Sequence, residues 1–438
     1  MRLLKLPLLL VGCALLVSGC SSDKDTIIEG DRQPVLKTDG ALKADAQLAS
    51  EPLQLPDSYV NPSWPQNMGV PDGSLGHPAF TRKPEKAWSS SIGEGSDDDS
   101  KLLSRPVVGD GKVFTIDTEA NVRAFSLENG DRLWSTDLTP EDYDEEQFGG
   151  GTAFVGGRLY VTTGYGTMAA LEAKTGEVIW RRDYKEILRS APVVAGGRVF
   201  AVTADGQTHA LNAVDGAELW KHTGISETST LLGNGVPAVA DDVAFVPYSS
   251  GELYAVRVQN GKTLWQQSLA GSSKRGSGGM PALSDIKGSP ALDAERVYAA
   301  SNAGRMAAVD KRTGNAQWDI DLASTDTPVL VGDTLYVIAS RNDVVLIDRK
   351  SGRIRATYQL PKFEDEEKSK DPIYWSGPVV AEGVIWAVSS HGKLIGLDAT
   401  SGKQVEKLSL SDDAYLAPVV AQKTMLIITE DGRLTAYR

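Results

Sequence analysis

The residues suited to acid–base or metal chemistry are few and scattered in this chain. Its 438 residues include four histidines, His77, His209, His222 and His391, and no two have the spacing of metal ligands. The sequence contains no Gly-x-Ser-x-Gly nucleophile turn, no phosphate-binding Gly-rich loop and no His-Glu-x-x-His motif. Carboxylates are numerous, but no pattern marks a catalytic pair. We therefore predict no catalytic residue, no metal site and no cofactor-binding residue.

Cys20 has the most distinctive chemical setting in the sequence. Arg2 and Lys5 precede an apolar run, residues 6–17, which is short for a transmembrane helix and typical of a secretory signal. The following Val17-Ser18-Gly19-Cys20 resembles the bacterial lipobox. This resemblance implies cleavage before Cys20 and acylation of that cysteine, and two or three acyl chains would give lasting membrane anchorage. The alternative is an ordinary secretory signal with a cysteine here by chance.

The lipobox resemblance also bears on location and redox chemistry. Residues 1–19 would be the signal peptide, and Cys13 would leave with it. The mature chain would then have a single, lipidated cysteine, so no disulfide could form even in an oxidising compartment. An aspartate after the cysteine favours inner-membrane retention in Gram-negative lipoproteins. Ser21 therefore favours anchorage in the outer membrane.

The formal net charge of the chain is −13. A general nucleic-acid binder needs a basic surface for phosphates, so the composition argues against that class. Two short runs, residues 141–146 and 364–367, are strongly acidic. We interpret both as solvated loops.

Residues 20–85 carry no sustained hydrophobic periodicity and contain eight of the 21 prolines. This composition predicts a tether between the lipidated Cys20 and a folded body. Residues 61–70 include Trp64, a large apolar side chain. The sequence leaves open whether this piece floats or docks on the body.

A repeated hairpin forms the framework that positions the functional residues of the chain. In each copy an Ala is followed by Gly six residues later and by Trp four residues after that; the copies are residues 124–134, 170–180, 210–220, 255–265 and 308–318. Glycine allows the tight turn, and the small alanine leaves room for the indole. Five copies at one spacing indicate a repeat architecture.

A second signature, Pro-Val-Val or a related triplet, begins 18 residues before each Ala position. Eight such intervals occur, with Thr152 replacing one Pro and Leu346 and Gly396 replacing two Ala residues. Each unit fits a four-stranded antiparallel meander of the size of a propeller blade. We predict that residues 86–438 form an all-β, eight-bladed β-propeller.

The eighth unit lacks its fourth strand, because the chain ends at Arg438. Trp88 lies 18 residues before Pro106, the same interval as Trp134 to Thr152. We therefore predict that the N-terminal strand around Trp88 pairs into the last blade and closes the ring. Closure would bury two strand edges that otherwise invite aggregation.

Two units depart from the repeat. Ala356 and Glu406 stand where Trp is expected. Tyr358 and Leu408 lie two residues later, on the same face of a strand, and are predicted to fill the two places.

Spacing is fixed within the units and varies between them. All of the length variation lies in connections from the fourth strand of one blade to the first strand of the next. Such connections emerge on one face of a propeller, and variation confined to one face indicates a binding face. The alternative is that this face merely tolerates drift. Residues 271–286 are the most distinctive of these connections, with an apolar piece, residues 280–283, that is either buried in its own loop or presented to a partner.

The Ala-x-x-x-x-Thr-Gly-x-x-x-Trp hairpin, clearest at residues 170–180 and 308–318, resembles the repeat of the pyrroloquinoline-quinone-like propellers. One branch of that superfamily is the periplasmic quinoprotein dehydrogenases, which carry a vicinal disulfide, a metal site and a catalytic aspartate. The other is the BamB family, lipoproteins of the outer-membrane β-barrel assembly machinery. The lipobox, the size of the chain and the absence of cofactor motifs favour the BamB family.

The BamB resemblance implies a partner and three contact residues. Members of the family are thought to bind the periplasmic POTRA region of BamA through two loops. The motif Leu-x-Leu-Arg aligns with residues 229–232, where Leu231 matches and Leu232 replaces arginine. The motif Leu-Ser-Asp-Val-Asp aligns with residues 283–287, where Leu283 and Asp285 match and Lys287 replaces the second acid. Asp285 is expected to accept a charge-assisted hydrogen bond from the partner.

The expected function is a non-enzymatic scaffold, anchored in the outer membrane on its periplasmic side and monomeric within a complex. It would bind BamA and assist the insertion of outer-membrane proteins, with nascent chains as possible further ligands. The alternatives are a quinone-dependent dehydrogenase-like propeller and an envelope adaptor unrelated to barrel assembly.

Overall fold

The structure is a computed structural model that describes residues 42–141, 148–227, 229–233, 235–270 and 283–438. Its strands form eight four-stranded antiparallel sheets, the blades, numbered here by their first strands along the chain. First strands of neighbouring blades contact one another, so they lie innermost, around a central channel, and the fourth strands lie at the rim. The predicted all-β, eight-bladed propeller is confirmed.

The elements of the first half of the chain follow one pattern. A short helix, α1 (Ala46–Ser50), and strand β1 (Lys86–Ser91) precede blade 1. Blade 1 contains β2 (Val107–Gly109), β3 (Lys112–Ile116), β4 (Asn121–Ser126) and β5 (Arg132–Asp137). Blade 2 contains β6 (Gly150–Val155), β7 (Arg158–Thr163), β8 (Thr167–Glu172) and β9 (Val178–Asp183). Blade 3 contains β10 (Val193–Ala195), β11 (Arg198–Val202), β12 (Gln207–Asn212) and β13 (Glu218–Thr223). Blade 4 contains β14 (Ala238–Ala240), β15 (Val243–Pro247), β16 (Glu252–Arg257) and β17 (Thr263–Ser268).

The second half continues the pattern with one added hairpin. Blade 5 contains β18 (Ala291–Leu292), β19 (Arg296–Ala300), β20 (Arg305–Asp310) and β21 (Ala316–Asp321). Blade 6 contains β22 (Val329–Val331), β23 (Thr334–Ala339), β24 (Asp343–Asp348) and β25 (Ile354–Gln359). A separate hairpin of β26 (Phe363–Asp365) and β27 (Lys370–Pro372) leads to blade 7. Blade 7 contains β28 (Trp375–Ala381), β29 (Val384–Ser389), β30 (Lys393–Asp398) and β31 (Gln404–Ser409). Blade 8 contains β32 (Val419–Ala421), β33 (Thr424–Thr429) and β34 (Arg433–Tyr437), completed by β1.

Ring closure occurs as the spacing predicted. β1 pairs antiparallel with β34, and Trp88 faces Ala436 in the register that Trp and Ala have in other blades. Glu85 and Arg438 exchange two backbone hydrogen bonds of 2.8 and 2.9 Å at the end of this pair. The first strand of the chain and the last one therefore share one sheet, and the seam of the ring lies within blade 8.

Within a blade, the repeated alanine lies between two aromatic rings. In blade 2, Tyr160 faces Ala170 and Ala170 faces Trp180 across successive strands. The rings of Tyr160 and Trp180 lie 6.2 Å apart because the alanine between them has only a methyl group. The corresponding ring pairs in four other blades lie 5.8–6.0 Å apart. The predicted role of alanine, to leave room for the indole, is confirmed. The sequence pattern did not predict the aromatic ring that the second strand places on the other side of the alanine.

Each repeated tryptophan then fastens its blade to the next one. Trp180 Nε1 donates a 3.2 Å hydrogen bond to the carbonyl of Ala213 in blade 3. Its indole covers Gly216, where a Cβ atom would lie 2.6 Å from the ring and where φ is +70°. Equivalent bonds of 2.8–3.1 Å join the other five repeat tryptophans to the following blade. The glycine is needed both for the turn and for the approach of the ring.

Tyr358 takes the place of the missing tryptophan in blade 6, as predicted. Its hydroxyl donates to the carbonyls of Ala399 and Thr400 in blade 7, at 3.3 and 3.0 Å. Its ring covers Gly402, the turn glycine of that blade. Leu408 is half-buried and packs against the apolar core of blades 7, 8 and 1.

The two ends of the propeller differ in the chain segments they carry. The turn between the second and third strands of a blade bonds to the connection that precedes the blade, as Ala204 does to Ile187 and Glu430 to Asp413 (2.9 and 2.8 Å). We call this end the loop face. The end formed by the other two hairpin turns of each blade is the turn face.

Residues 42–85 pack on the propeller. Trp64, only 3% exposed, exchanges two backbone hydrogen bonds with Val108 of blade 1, of 2.9 and 2.7 Å. The segment around Trp64 is therefore docked, which resolves the alternative that the sequence left open. Asp45 donates its backbone N–H to the carbonyl of Ile354, at the rim of blade 6.

Candidate protein-interaction surface

Two connections on the loop face hold the residues predicted to bind a partner. Residues 229–233 belong to the connection between blades 3 and 4, and residues 283–289 to the connection between blades 4 and 5. The backbone N–H of Leu231 donates a 2.9 Å hydrogen bond to Asp285 Oδ1. Residues 54 positions apart in the chain thereby form one surface.

Asp285 is a buried brace in this surface. Its residue is 2% exposed, and its backbone carbonyl accepts a 2.9 Å hydrogen bond from Asn302 of blade 5. Among the described residues, Asp285 Oδ2 has no hydrogen-bond partner. The carboxylate is thus held within the loops, and the charge-assisted bond to a partner that the family resemblance implies stays a prediction.

The exposed part of the surface is apolar with one adjacent cation. Leu231 and Leu283 are half-buried, and Leu232 is 43% exposed. Lys287 is exposed, and its Cε lies 3.7 Å from the place that a Cβ on Gly233 would occupy. The side chain therefore lies beside the turn that follows Leu232.

Charged groups also gather where these connections meet the channel. Asp326, which precedes blade 6, accepts a 3.3 Å hydrogen bond from the backbone N–H of Gly377. Removal from water raises the pKa of Asp326 to about 6, although the Gly377 bond and the charges of Lys287 and Arg105 act in the opposite direction. The same low hydration lowers the pKa of the Arg105 guanidinium. Both residues are nevertheless only partly buried.

A second patch on the loop face escaped the sequence reasoning. Tyr374 and Tyr415, in the connections before blades 7 and 8, are 62% and 45% exposed. The backbone of Tyr374 pairs with Ser390 through two 2.9 Å hydrogen bonds, to its hydroxyl and from its N–H. Burial raises the pKa of Tyr415, and the nearby carboxylates of Asp413 and Glu430 act in the same direction. Neither tyrosine holds a fixed place in the repeat, so spacing alone could not have found them.

The four histidines lie in separate settings. His77 Nε2 accepts from the N–H of Gly383, and His209 Nδ1 lies 2.8 Å from Glu218. His222 lies 2.8 Å from the Tyr248 hydroxyl, and His391 lies 3.1 Å from Ser390 Oγ. Across the residues that the structure describes, no group of three or more His, Cys, Asp or Glu side chains could hold a metal ion.

Several predicted features lie outside the described residues. These are Cys20 and the signal, residues 142–146 of the first acidic run, and residues 271–282 of the connection before blade 5. The second acidic run forms the β26–β27 hairpin, where Glu366 Oε1 accepts a 2.8 Å hydrogen bond from the N–H of Lys362. Over the described ranges, no helix has the length and apolar character needed to cross a membrane.

The fold and this surface define an eight-bladed propeller of pyrroloquinoline-quinone-like repeats that presents paired loops on one face. The family model for "Outer membrane protein assembly factor BamB" matches residues 118–358 and 365–438. The chain belongs to this family.

Individual relatives agree with this assignment. The outer membrane protein assembly factor BamB of Salmonella typhimurium is 32% identical over 358 residues, covering 81% of this chain and 88% of that protein. The Escherichia coli K12 factor is 31% identical over 80% of this chain and 87% of that protein. An uncharacterized protein of Rickettsia prowazekii is 26% identical, and the match spans 63% of this chain and 66% of that protein.

Solved structures share the fold. The crystal structure of BamB from Moraxella catarrhalis has a TM-score of 0.65 at 17% identity, covering 81% of this chain and all of that one. The quinohemoprotein alcohol dehydrogenase of Comamonas testosteroni also gives 0.65, at 12% identity, covering 86% of this chain and 80% of that one. At such low sequence identity the similar structures include an enzyme. The similarity therefore supports the propeller fold and does not indicate a particular activity.

Proposed function

We propose that this protein is a non-enzymatic outer-membrane protein assembly factor, anchored through acylated Cys20 on the periplasmic side. Its loop face binds the POTRA region of BamA and so assists the insertion of outer-membrane proteins. Family membership supports the assembly role. The Leu231–Asp285 hydrogen bond carries the choice of site, because it joins both predicted loops into one surface.

The contact is made mainly by leucine side chains. Leu231, Leu232 and Leu283 offer apolar area that a partner can bury, and removal of apolar area from water favours association. Asp285 acts as a positioning residue, since its carboxylate holds the backbone of the first loop.

Lys287 gives this surface a positive charge where the family motif has an acid. The partner surface opposite it is therefore expected to carry a carboxylate. Complementary charges of this kind affect partner choice and association rate more than affinity.

The site is tested with the purified periplasmic region of BamA and the full mature chain. The Leu231→Ala, Leu232→Ala double variant should weaken binding at least tenfold, or about 1.4 kcal/mol. Leu264→Ala is a matched control, because Leu264 at the rim of blade 4 is 44% exposed and Leu232 is 43% exposed. Equal affinity of the double variant and the wild type would reject the site, and equal loss in the control would show that the effect is not local.

The anchor is tested separately. A Cys20→Ser variant should move from the outer-membrane fraction to the soluble periplasmic fraction, while its affinity for BamA in solution stays unchanged. Retention in the membrane fraction without BamA would contradict acylation at Cys20.

A further inference from the structure

Residues 59–80 run around the turn-face mouth of the channel; we call this segment the strap. It bonds to the innermost strand of successive blades. The N–H groups of Val108, Phe154, Val239 and Leu292 donate to strap carbonyls at 2.7, 2.7, 2.8 and 3.2 Å. These four residues hold the same place in blades 1, 2, 4 and 5, two residues after the Pro position, where Thr152 stands for Pro in blade 2.

Side chains and turns extend the series to three more blades. Gln66 bonds to both backbone groups of Val194 in blade 3, at 3.0 and 2.9 Å. Asn61 Nδ2 donates to the carbonyl of Val420 in blade 8 at 3.0 Å. Pro78 accepts a 3.1 Å bond from the N–H of Glu382 in blade 7. Within the described residues, the strap thus bonds to seven of the eight blades.

The reason for this regularity is the free edge of each first strand. An innermost strand pairs on one side only, so its other edge presents backbone groups to the channel. The eight innermost strands surround the channel, so their unpaired backbone groups lie on a circle. An extended chain that turns along the circle can satisfy them in succession, and Gly73, with φ +68°, allows one of the bends.

Apolar side chains of the strap are buried in the cores of the blades. Trp64, Met68 and Phe80 are 3%, 6% and 6% exposed. Met68 joins the core of blades 3 to 5, and Trp64 joins the core of blades 7, 8 and 1. The ring of Phe80 meets Trp386 edge-on, with centroids 5.7 Å apart. The strap is therefore packed as well as hydrogen-bonded.

From these contacts we infer that the turn-face mouth of the propeller is a binding site for an extended peptide. In this protein the site is filled in cis by the strap. The strap is recognised through three kinds of contact: its backbone carbonyls accept from inner-strand N–H groups, one carboxamide each bonds to Val194 and Val420, and its apolar side chains pack on the blades.

Occupation of this site has a consequence for the seam. The strap ends at residue 80, and β1, which closes blade 8, begins at Lys86. A strap fixed on seven blades keeps β1 close to β34 at a high effective concentration whenever their pairing opens. The site therefore acts as a second latch on the ring, beside the β1–β34 pairing.

The test is to cut the strap out of the folded protein. Protease recognition sequences are inserted at two surface bends, between Asp57 and Ser58 and between Arg82 and Lys83, in the full chain. Cleavage then frees a peptide that contains the strap, without the preceding segment that packs on blade 6. The peptide should co-elute with the propeller in gel filtration and separate only in denaturant. A peptide that elutes alone from a propeller with unchanged circular dichroism would overturn the inference.

A second measurement does not depend on the cleaved form folding. The Gln422 N–H of blade 8 also donates to the strap, to the Asn61 carbonyl at 2.7 Å. In the uncut Trp64→Ala, Gln66→Ala variant, hydrogen exchange should accelerate at least tenfold at the distant amides of Leu292 and Gln422 as well as at Val108. Val199 of blade 3, paired with Leu211 inside its sheet, serves as the internal control and should keep its rate. Acceleration confined to blades 1 and 3 would show separate local contacts and not one bound peptide.

Discussion

The N–H of Leu231 and the Oδ1 atom of Asp285 lie 2.9 Å apart and join two loops that precede different blades. Asp285, which the family motif suggests as a partner contact, therefore also braces the two loops. Loss of a brace and loss of a contact weaken binding through different steps, and the two can be separated by substitution.

Replacement of Asp285 should loosen the two loops in the free protein and thereby weaken binding of the partner. Asp285→Ala removes the acceptor for the Leu231 N–H, which costs on the order of 1–3 kcal/mol when the donor is left buried. The Leu231 amide should exchange faster in the free protein, and affinity for BamA should fall with it. Asp285→Asn keeps an oxygen at the same place and should restore both. If Asp285→Ala lowers affinity while the Leu231 amide stays protected, the side chain itself contacts the partner.

Trp180, which contacts the next blade, allows a test of whether packing or hydrogen bonding stabilises the contact between blades. Trp180 is 7% exposed, and Trp180→Ala should lower the free energy of unfolding by roughly 3–5 kcal/mol through the lost apolar burial and the cavity. Trp180→Phe should cost much less, because the Ala213 carbonyl keeps its bonds from Arg158 and Tyr160. Denaturant unfolding of both variants decides between packing and the indole hydrogen bond. Equal losses would show that the hydrogen bond dominates.

Two glycines with positive φ separate backbone strain from packing. Gly196, in the turn after β10, has φ +56° and nothing within 4 Å of an added Cβ, so Gly196→Ala should cost roughly 1–2 kcal/mol of stability. Gly216 has φ +70°, and its added Cβ would lie 2.6 Å from the Trp180 ring. Gly216→Ala should therefore cost clearly more, because strain and displacement of the indole add. Equal melting temperatures for the two variants would mean that the ring shifts freely.

The closed circle of blades and the tryptophan contacts between blades were predictable because they depend on side chains that recur at fixed spacing. The Ala–Gly–Trp spacing predicted the blades, the seam at Trp88 and the substitution by Tyr358, all of which repeat or complete one local pattern. The docking of the strap was not predictable in detail, since its partners are backbone groups that carry no sequence signal. The bracing role of Asp285 was not predictable either, because the sequence does not show that the Leu231 N–H, 54 residues away, lies within hydrogen-bonding distance of its carboxylate.

The channel carboxylate Asp326 should make stability depend on pH in an unusual direction. Burial raises its pKa to about 6 from an ordinary value near 3.8, so between these values the folded protein binds more protons than the unfolded chain. Its contribution to the free energy of unfolding therefore falls as pH rises from about 4 to 6 and is constant above that window. The Asp326→Asn variant has no carboxylate to lose its proton there. Its melting temperature relative to wild type should therefore rise between pH about 4 and 6 and stay constant at higher pH. The exposed Asp57→Asn serves as a control for the change of one formal charge. A difference between Asp326→Asn and wild type that does not vary with pH from 4 to 8 would show that folding does not raise the pKa of Asp326, because the nearby charges of Lys287 and Arg105 offset its burial.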